Sequence, residues 1–351
     1  MNAQITVQGK TEFDFSKIRI NSDYNIIIHC VYDPFSQFET EFAFLHELTA
    51  NDLVILWHPV EQGHFDPGWM NKLDNIVASA PYKLVYLTGC SHQLNVNEFI
   101  PHTFDLRFFP VFDIRSSDIW RHAPTPVILD KSNKFMYINA KHLDHRKYIL
   151  GTLFDNNLVQ DGTVTYQCYG DSAEHGPDFS LPRAFSQAQL FEAELLYKLC
   201  DAHIPISIDN SDFSGAFPRR YFINSYVNIV GETQFVNISH SFNTSFVTEK
   251  TFNAIANNQM FIVVGQAGSL DLLQHLGYKT FAGIIDETYD TIVHNGDRLE
   301  AVSREIVRFL SRPIEDIKND YVKAQDIILH NRDRLYSQKL ETRLQELINT
   351  L

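Results

Sequence analysis

Cysteine is scarce in this chain: Cys30, Cys90, Cys168 and Cys200 are scattered over 351 residues, and no two are spaced as CxxC. That spacing argues against a thiolate zinc site and a disulfide framework and leaves the thiols as reduced core residues. Positive charge is also short, with 29 Lys and Arg against 43 Asp and Glu, a formal net charge of -14. A surface built mainly to grip nucleic acid by its phosphates carries a basic excess, so that class is disfavoured, although a local basic groove stays open. No apolar run approaches the length of a membrane span, and the opening MNAQITVQGKTEFDF is too polar for a secretory signal. The expectation is a soluble, cytoplasmic protein with no membrane span. In that compartment the sequons at Asn237 and Asn243 carry little weight. Internal repeats and low-complexity tracts are absent too.

Apolar material is plentiful. Hydrophobic residues make up 44% of the chain and aromatics 13%, enough for two buried cores in a chain of two-domain length. Asn25 to Val31, Asp52 to Trp57, Lys83 to Leu87 and Leu106 to Phe112 are apolar runs that predict strands. Helices are predicted around Glu39 to Leu48 and Trp69 to Ser79. Strand and helix alternating at this spacing imply a parallel sheet with crossover helices. Pro124 and Pro126 break the pattern, which places a boundary near 125. A second α/β set follows: strand Lys134 to Asn139, helix His145 to Phe154, strand Thr163 to Tyr169, a loop to Arg183, and helices Gln187 to Cys200 and Arg219 to Ile229. Next come a helix opened by Thr248-Glu249-Lys250, strand Met260 to Val264 and helix Ser269 to Leu276. Ile314 to Leu351 has the helical period and is expected to pack across the back of one or both domains. The predicted layout is a domain over 1–125, a second over 126–312 and helices over 313–351.

The densest chemistry lies in FVTEKTFNAIANNQMFIVVG, Phe246 to Gly265. Thr248 can cap a helix whose first-turn amides and dipole favour an anion, of which phosphate is the obvious one. The loop Gly265 to Gly268 follows a strand, at the carboxyl edge where open sheets bind ligands.

Tyr226 to Thr233 (YVNIVGET), then FVTEKTFNAI and MFIVVG, resembles the nucleotide-sugar-binding motif of the α1,3-fucosyltransferase family. LDHRKYIL, Leu143 to Leu150, resembles the arginine-bearing helix start of that family. The resemblance covers the second domain, and GSLDLLQHLGYKTFAGIIDETYD resembles a pattern of microbial and phage glycosyltransferases. It implies an α/β fold of two facing Rossmann-like domains, the GT-B type, with a C-terminal helical segment, in a bacterial or phage-infected cell. It also implies a hexosyl- or pentosyltransferase that takes a nucleotide-diphosphate sugar, GDP- or UDP-linked, as donor and needs no cofactor. Two departures bear on the donor sugar: Gly231-Glu232-Thr233 stands where the family has Phe-Glu-Asn, and the loop to Thr248 is longer.

Carried over by the resemblance, Arg146 and Lys250 hold the donor diphosphate and Glu249 pairs with ribose or sugar hydroxyls. Glu232 and Thr248 complete the motif. Fixed cations beside a leaving diphosphate stabilise the transition state more than the ground state, and no DxD triplet offers a metal site, so metal-independent transfer is expected. Inversion requires a base for the acceptor hydroxyl. Asp33, His58, Glu61, His64, Asp66, His92 and Glu98 are the first-domain candidates, and the family pattern favours Glu98. The bland readings are a capped surface pair for Glu249 and Lys250, solvated or helix-end positions for Arg146 and Glu232, a surface pair for Arg219 and Arg220, and apolar packing for Tyr226 and Tyr289. The acceptor is expected to be a glycan or lipopolysaccharide precursor. A hydroxymethylated DNA base is the alternative, with Lys141 to Lys147 as a local basic patch, and a non-catalytic nucleotide- or carbohydrate-binding module is the rival class. The oligomeric state is left open.

Overall fold

The protein is described here from a computed structural model covering residues 5–8, 15, 18–30, 42–57, 67–89, 104–122, 124–139, 143–166, 219–236 and 245–351. The chain forms two compact units, one from Met1–Ile114 with Gln338–Leu351, the other from Arg115–Ser337.

Unit 1 is built on a five-stranded parallel sheet in the order β1 (Ile5–Gln8), β2 (Asn25–Cys30), β3 (Asp52–Trp57), β4 (Lys83–Thr88) and β5 (Asp105–Phe108). Every residue of β3, DLVILW, is buried, as expected of a parallel strand covered on both faces. Helix α1 (Pro67–Val77) lends Leu73 and Val77 to a core shared with Val54, Leu56, Leu84 and Tyr86. Three expectations are corrected here. The polar N-terminal lead contains β1, an edge strand whose ITVQ pairs with β2 from Ile5↔Ile26 onward. The helix expected to end at Leu48 is, in its described part, a 3-10 turn over Ala43–Glu47. The strand expected to reach Phe112 stops at Phe108, because Pro110 has no N–H for a ladder and Phe112 already opens helix α2 (Phe112–Trp120).

Unit 2 carries a parallel sheet in the order β7-β6-β8-β9, with β6 (Asn133–Asn139), β7 (Gly162–Tyr166), β8 (Ser225–Gly231) and β9 (Met260–Val264). Its helices among the described residues are α3 (Asp144–Asp155), α4 (Arg219–Ile223), α5 (Glu249–Ala256), α6 (Ser269–His275), α7 (Asn295–Leu310), α8 (Ile314–Lys323) and α9 (Gln325–Tyr336). The helix expected over Arg219 to Ile229 is a short helix followed by β8. All seven residues SYVNIVG are buried, and β-branched Val227, Ile229 and Val230 fit a central strand better than a one-sided helix. Because β6 goes first to β7 on one side and the chain later adds β8 on the other, the sheet reverses direction between β6 and β8. That reversal is the place where open sheets leave a crevice at their carboxyl ends.

Side chains fasten the rest of unit 2 to α5 and the turn that leads from it into β9, and to β8. Trp120 Nε1 donates to Asn253 Oδ1 at 2.8 Å, and Thr125 Oγ1 donates to Asn257 Oδ1 at 2.6 Å. Tyr321 on α8 donates to the Asn258 carbonyl at 2.8 Å, and Tyr336 on α9 to that of Ala256 at 3.1 Å. Tyr226 is core, its hydroxyl accepting from Lys131 N and donating to the Leu129 carbonyl. Buried Tyr289 is core as well.

The last helix, α10 (Leu340–Asn349), belongs to unit 1. Arg343 makes a bidentate pair with buried Asp113, Nη1 to Oδ1 at 2.9 Å and Nη2 to Oδ2 at 2.8 Å, and also donates to the Pro110 carbonyl. Gln345 accepts from Asn21 N at 2.8 Å on the same helix. Among the described residues no helix is long and apolar enough to cross a membrane.

Candidate functional site

The crevice end of unit 2 is organised by Glu232, the residue that follows β8. It is fully buried. Its carboxylate accepts from Thr248 N at 3.2 Å, Thr248 Oγ1 at 2.5 Å and Thr251 Oγ1 at 2.6 Å, so the strand end is tied to the first turn of α5. An anion at a helix N-terminus is favoured by the free amides and the dipole. Its main chain is equally engaged: the N–H donates to the Val264 carbonyl at 3.0 Å, and its own carbonyl accepts from His145 Nε2 at 2.9 Å and Arg146 Nη2 at 3.0 Å.

Thr248 caps α5 through its hydroxyl, which accepts from Lys250 N at 3.4 Å. The Lys250 ammonium, part-buried at 25% side-chain exposure, donates to Thr233 Oγ1 at 3.0 Å, Thr248 Oγ1 at 3.2 Å and Glu249 Oε1 at 2.8 Å. Burial alone would raise the Glu249 pKa. The adjacent Lys250 charge and hydrogen bond, with a contribution from Arg115, outweigh it and leave the carboxyl below its usual value. Glu249 is therefore ionised at neutral pH, with Oε2 buried and without a hydrogen-bond partner among the described residues.

Arg146 and His145 open α3 and lie almost wholly inside. Arg146 Nη2 donates to the Gly231 carbonyl at 2.9 Å as well as to that of Glu232, while Tyr137 donates to the Arg146 carbonyl at 2.9 Å. The His145 ring stacks on Phe235 with centroids 5.1 Å apart, and the Arg298 guanidinium lies 4.5 Å from the same ring. Burial, and next the Arg146 charge, press the His145 pKa down to about 3, so the ring is neutral and donates through Nε2. Arg298 in turn gathers the carbonyls of Gly265, Ile292 and Val293.

Across the Gly265–Gly268 loop, Asp290 Oδ2 accepts from Leu270 N at 3.1 Å and Asp271 N at 3.4 Å, and its carbonyl accepts from Gly268 N. Gly268 has φ 80°, a conformation that glycine adopts without strain. Burial pushes the Asp290 carboxyl up to about 6 against the opposing pull of those amides.

The last residue of β6, Asn139, completes the crevice. It is 5% exposed, and neither Oδ1 nor Nδ2 has a hydrogen-bond partner among the described residues. A buried amide left in that state costs about 1–3 kcal/mol. Gly231 makes room for it: a Cβ at 231 would lie 2.8 Å from Asn139 Oδ1 and 3.1 Å from Arg146 Cγ.

The structure thus gathers Arg146, Glu232, Thr248, Glu249 and Lys250 around one strand end. Glu98, Asp33, His58, Glu61, His64, Asp66 and His92 lie outside the described residues, as do Lys141 and His142 of the basic patch. Of Arg219 and Arg220 only the helical backbone is described. Asn139, His145, Phe235, Asp290 and Arg298 were not singled out by the sequence reading of this crevice. Asn139 alone had a usable signal, as a polar residue closing an apolar strand at the carboxyl edge.

No protein-family model and no curated protein sequence matches the chain. Among solved structures, it is similar to a mutant of the T4 phage BGT in complex with UDP-glucose, at 11% identity and a TM-score of 0.43, covering 93% of this chain and 83% of that one. It is also similar to the trehalose-6-phosphate synthase OtsA, at 12% identity and a TM-score of 0.49 over 94% of this chain and 73% of that one. A third similar structure is an alpha-glucosyltransferase in complex with UDP-glucose and DNA containing an abasic site, at 11% identity and a TM-score of 0.43 over 92% and 91%. None of these likenesses carries an activity across to this chain.

Proposed function

We propose that the protein is a glycosyltransferase whose unit 2 binds a nucleotide-diphosphate sugar, GDP- or UDP-linked, and that the sugar passes with inversion and without a metal to an acceptor hydroxyl. The observation that carries this reading is the Lys250 ammonium, held by Thr233, Thr248 and Glu249 at the start of α5 beside the carboxyl ends of the sheet. It is a positioned, part-exposed cation backed by helix amides, which is what a leaving diphosphate requires. The motif resemblance of YVNIVGET and FVTEKTFNAI to the fucosyltransferase-like donor site points the same way.

In this reading, Lys250 contacts the diphosphate and stabilises the negative charge that grows as the glycosidic bond to it breaks. Arg146, whose Nη2 is spent on two carbonyls, adds its charge from inside the crevice wall. Glu249 accepts from donor hydroxyls. Glu232 and Thr248 fix the strand end and helix start that position all three. The acceptor proton passes to a carboxylate, for which Glu98 is the proposed base. Asp and Glu outnumber Lys and Arg within each unit, so a glycan or lipopolysaccharide-precursor hydroxyl suits the protein better than a DNA base.

The test is a thermal-shift panel of GDP- and UDP-sugars followed by assay of sugar release or transfer. Stabilisation by one nucleotide sugar with turnover is the expected result. Binding without turnover would leave only a nucleotide-binding module, and no binding at all would overturn the proposal.

A further inference from the structure

Asn139 is a residue of the crevice whose chemistry the donor reading leaves unused. It closes β6 on the same face as Tyr137, the face on which α3 lies, since side chains alternate along a strand. Tyr137 reaches the Arg146 carbonyl from that face. β6 pairs with β8 from Asn133↔Ser225 to Met136↔Asn228. Beyond that point Arg146 takes the Gly231 carbonyl. The Asn139 amide therefore lies buried at the carboxyl end of β6, packed against Gly231 at the sheet reversal, while both of its polar atoms remain unspent among the described residues.

We infer that Asn139 is a further ligand contact of this site, and that its partner is a sugar hydroxyl of the nucleotide-sugar donor. The amide offers a donor and an acceptor together. A hydroxyl also both donates and accepts, and can take up either half or both, whereas a phosphate oxygen at neutral pH only accepts and would leave Oδ1 unpaired. The neighbourhood supports this division: Arg146 supplies charge to the crevice, and Asn139 supplies direction without charge. The hydroxyl is either the ribose 2′-hydroxyl or one on the transferred sugar, which share this chemistry. The inference rests on the donor reading above.

The test uses the full chain with Asn139→Leu, of the same branched shape and without polar atoms, and Asn139→Ala as a second variant. UDP, 2′-deoxy-UDP, UDP-glucose, GDP, 2′-deoxy-GDP and GDP-fucose are titrated into each, and melting temperatures are measured without ligand. The expected result is an unligated melting temperature for Asn139→Leu at or above that of wild type, because an unpaired buried amide has been removed. Affinity should fall about tenfold or more for the ligand bearing the contacted hydroxyl. A loss confined to the sugar-bearing nucleotides assigns the contact to the transferred sugar. A loss for ribonucleotides, but not their deoxy forms, assigns it to the ribose. Unchanged affinities in both variants, or an equal loss across all six ligands, would overturn the inference while leaving the donor reading intact. So would a melting temperature lowered in both variants with affinities unchanged. Failure of wild type to bind any of the six would remove the donor reading and this inference with it.

Discussion

Glu232 and Thr248 join a strand end to a helix start through two hydrogen bonds to one carboxylate, from the threonine N–H at 3.2 Å and from its hydroxyl at 2.5 Å. Removing the carboxylate strands three buried donors, since Thr251 also bonds to it. Glu232→Ala is expected to cost unit 2 about 3 kcal/mol or more, and Thr248→Val about 1–2 kcal/mol through loss of the cap and one bond. Chemical denaturation, followed by a probe in unit 2, measures both. A loss below about 0.5 kcal/mol for Glu232→Ala would contradict the tie.

Lys250→Ala should weaken nucleoside diphosphate binding by about tenfold or more while leaving binding of the corresponding nucleoside little changed, as expected for a charge-assisted contact to phosphate. Calorimetric titration at two salt concentrations reads it. The affinity of wild type should fall with salt more steeply than that of the variant. Equal diphosphate affinity in the two proteins would remove Lys250 from the phosphate site.

Two buried groups give opposite dependences on pH. Asp290 titrates near 6 in the folded protein, above its unfolded value of 3.8. Folding therefore takes up a proton between those values, and the cost of burying the charge, on the order of 2–3 kcal/mol, is present above pH 6 and relieved as pH falls towards 4. His145 titrates near 3, below its unfolded value of 6.5. Its contribution is lost as pH falls from 6.5 towards 3, on the order of several kcal/mol. Asp290→Asn should thus steepen acid destabilisation below pH 6, and His145→Gln should flatten it. Melting temperatures between pH 4 and 8 decide this, and parallel profiles for both variants and wild type would refute it.

Gly231→Ala places a Cβ 2.8 Å from Asn139 Oδ1 and 3.1 Å from Arg146 Cγ. A destabilisation of about 1–3 kcal/mol is expected, as for overpacking. Asn139→Ala in the same chain should recover part of it, because it removes the nearest atom. A double-mutant cycle measures this coupling, and additive effects would place the clash elsewhere.

The central strands of both sheets were legible because a buried parallel strand leaves an uninterrupted apolar run, as in DLVILW and MFIVV. β8 was misread as helix because SYVNIVG follows Arg219–Ile223 without a break, and periodicity separates short buried strands from buried helices poorly. β1 was missed because its edge position requires no continuous apolar run. In the site, the Thr-Glu-Lys helix start announced itself by its capping chemistry. His145 and Arg298 did not, since their roles come from closing on Phe235 from distant parts of the chain. Asp290 reaches the start of α6 from beyond a whole helix, a relation no local pattern encodes.

The Arg343–Asp113 pair has a consequence for the order of assembly. Unit 1 is interrupted in sequence by all of unit 2, and α10, which carries Arg343, is synthesised only after unit 2. Unit 2 is contiguous and can fold while the chain is still growing, whereas the buried Asp113 carboxylate of unit 1 gains its arginine only after all of unit 2 has been made. Deleting α10 would therefore injure unit 1, whose sheet precedes unit 2 in the sequence, rather than the segment next to the cut.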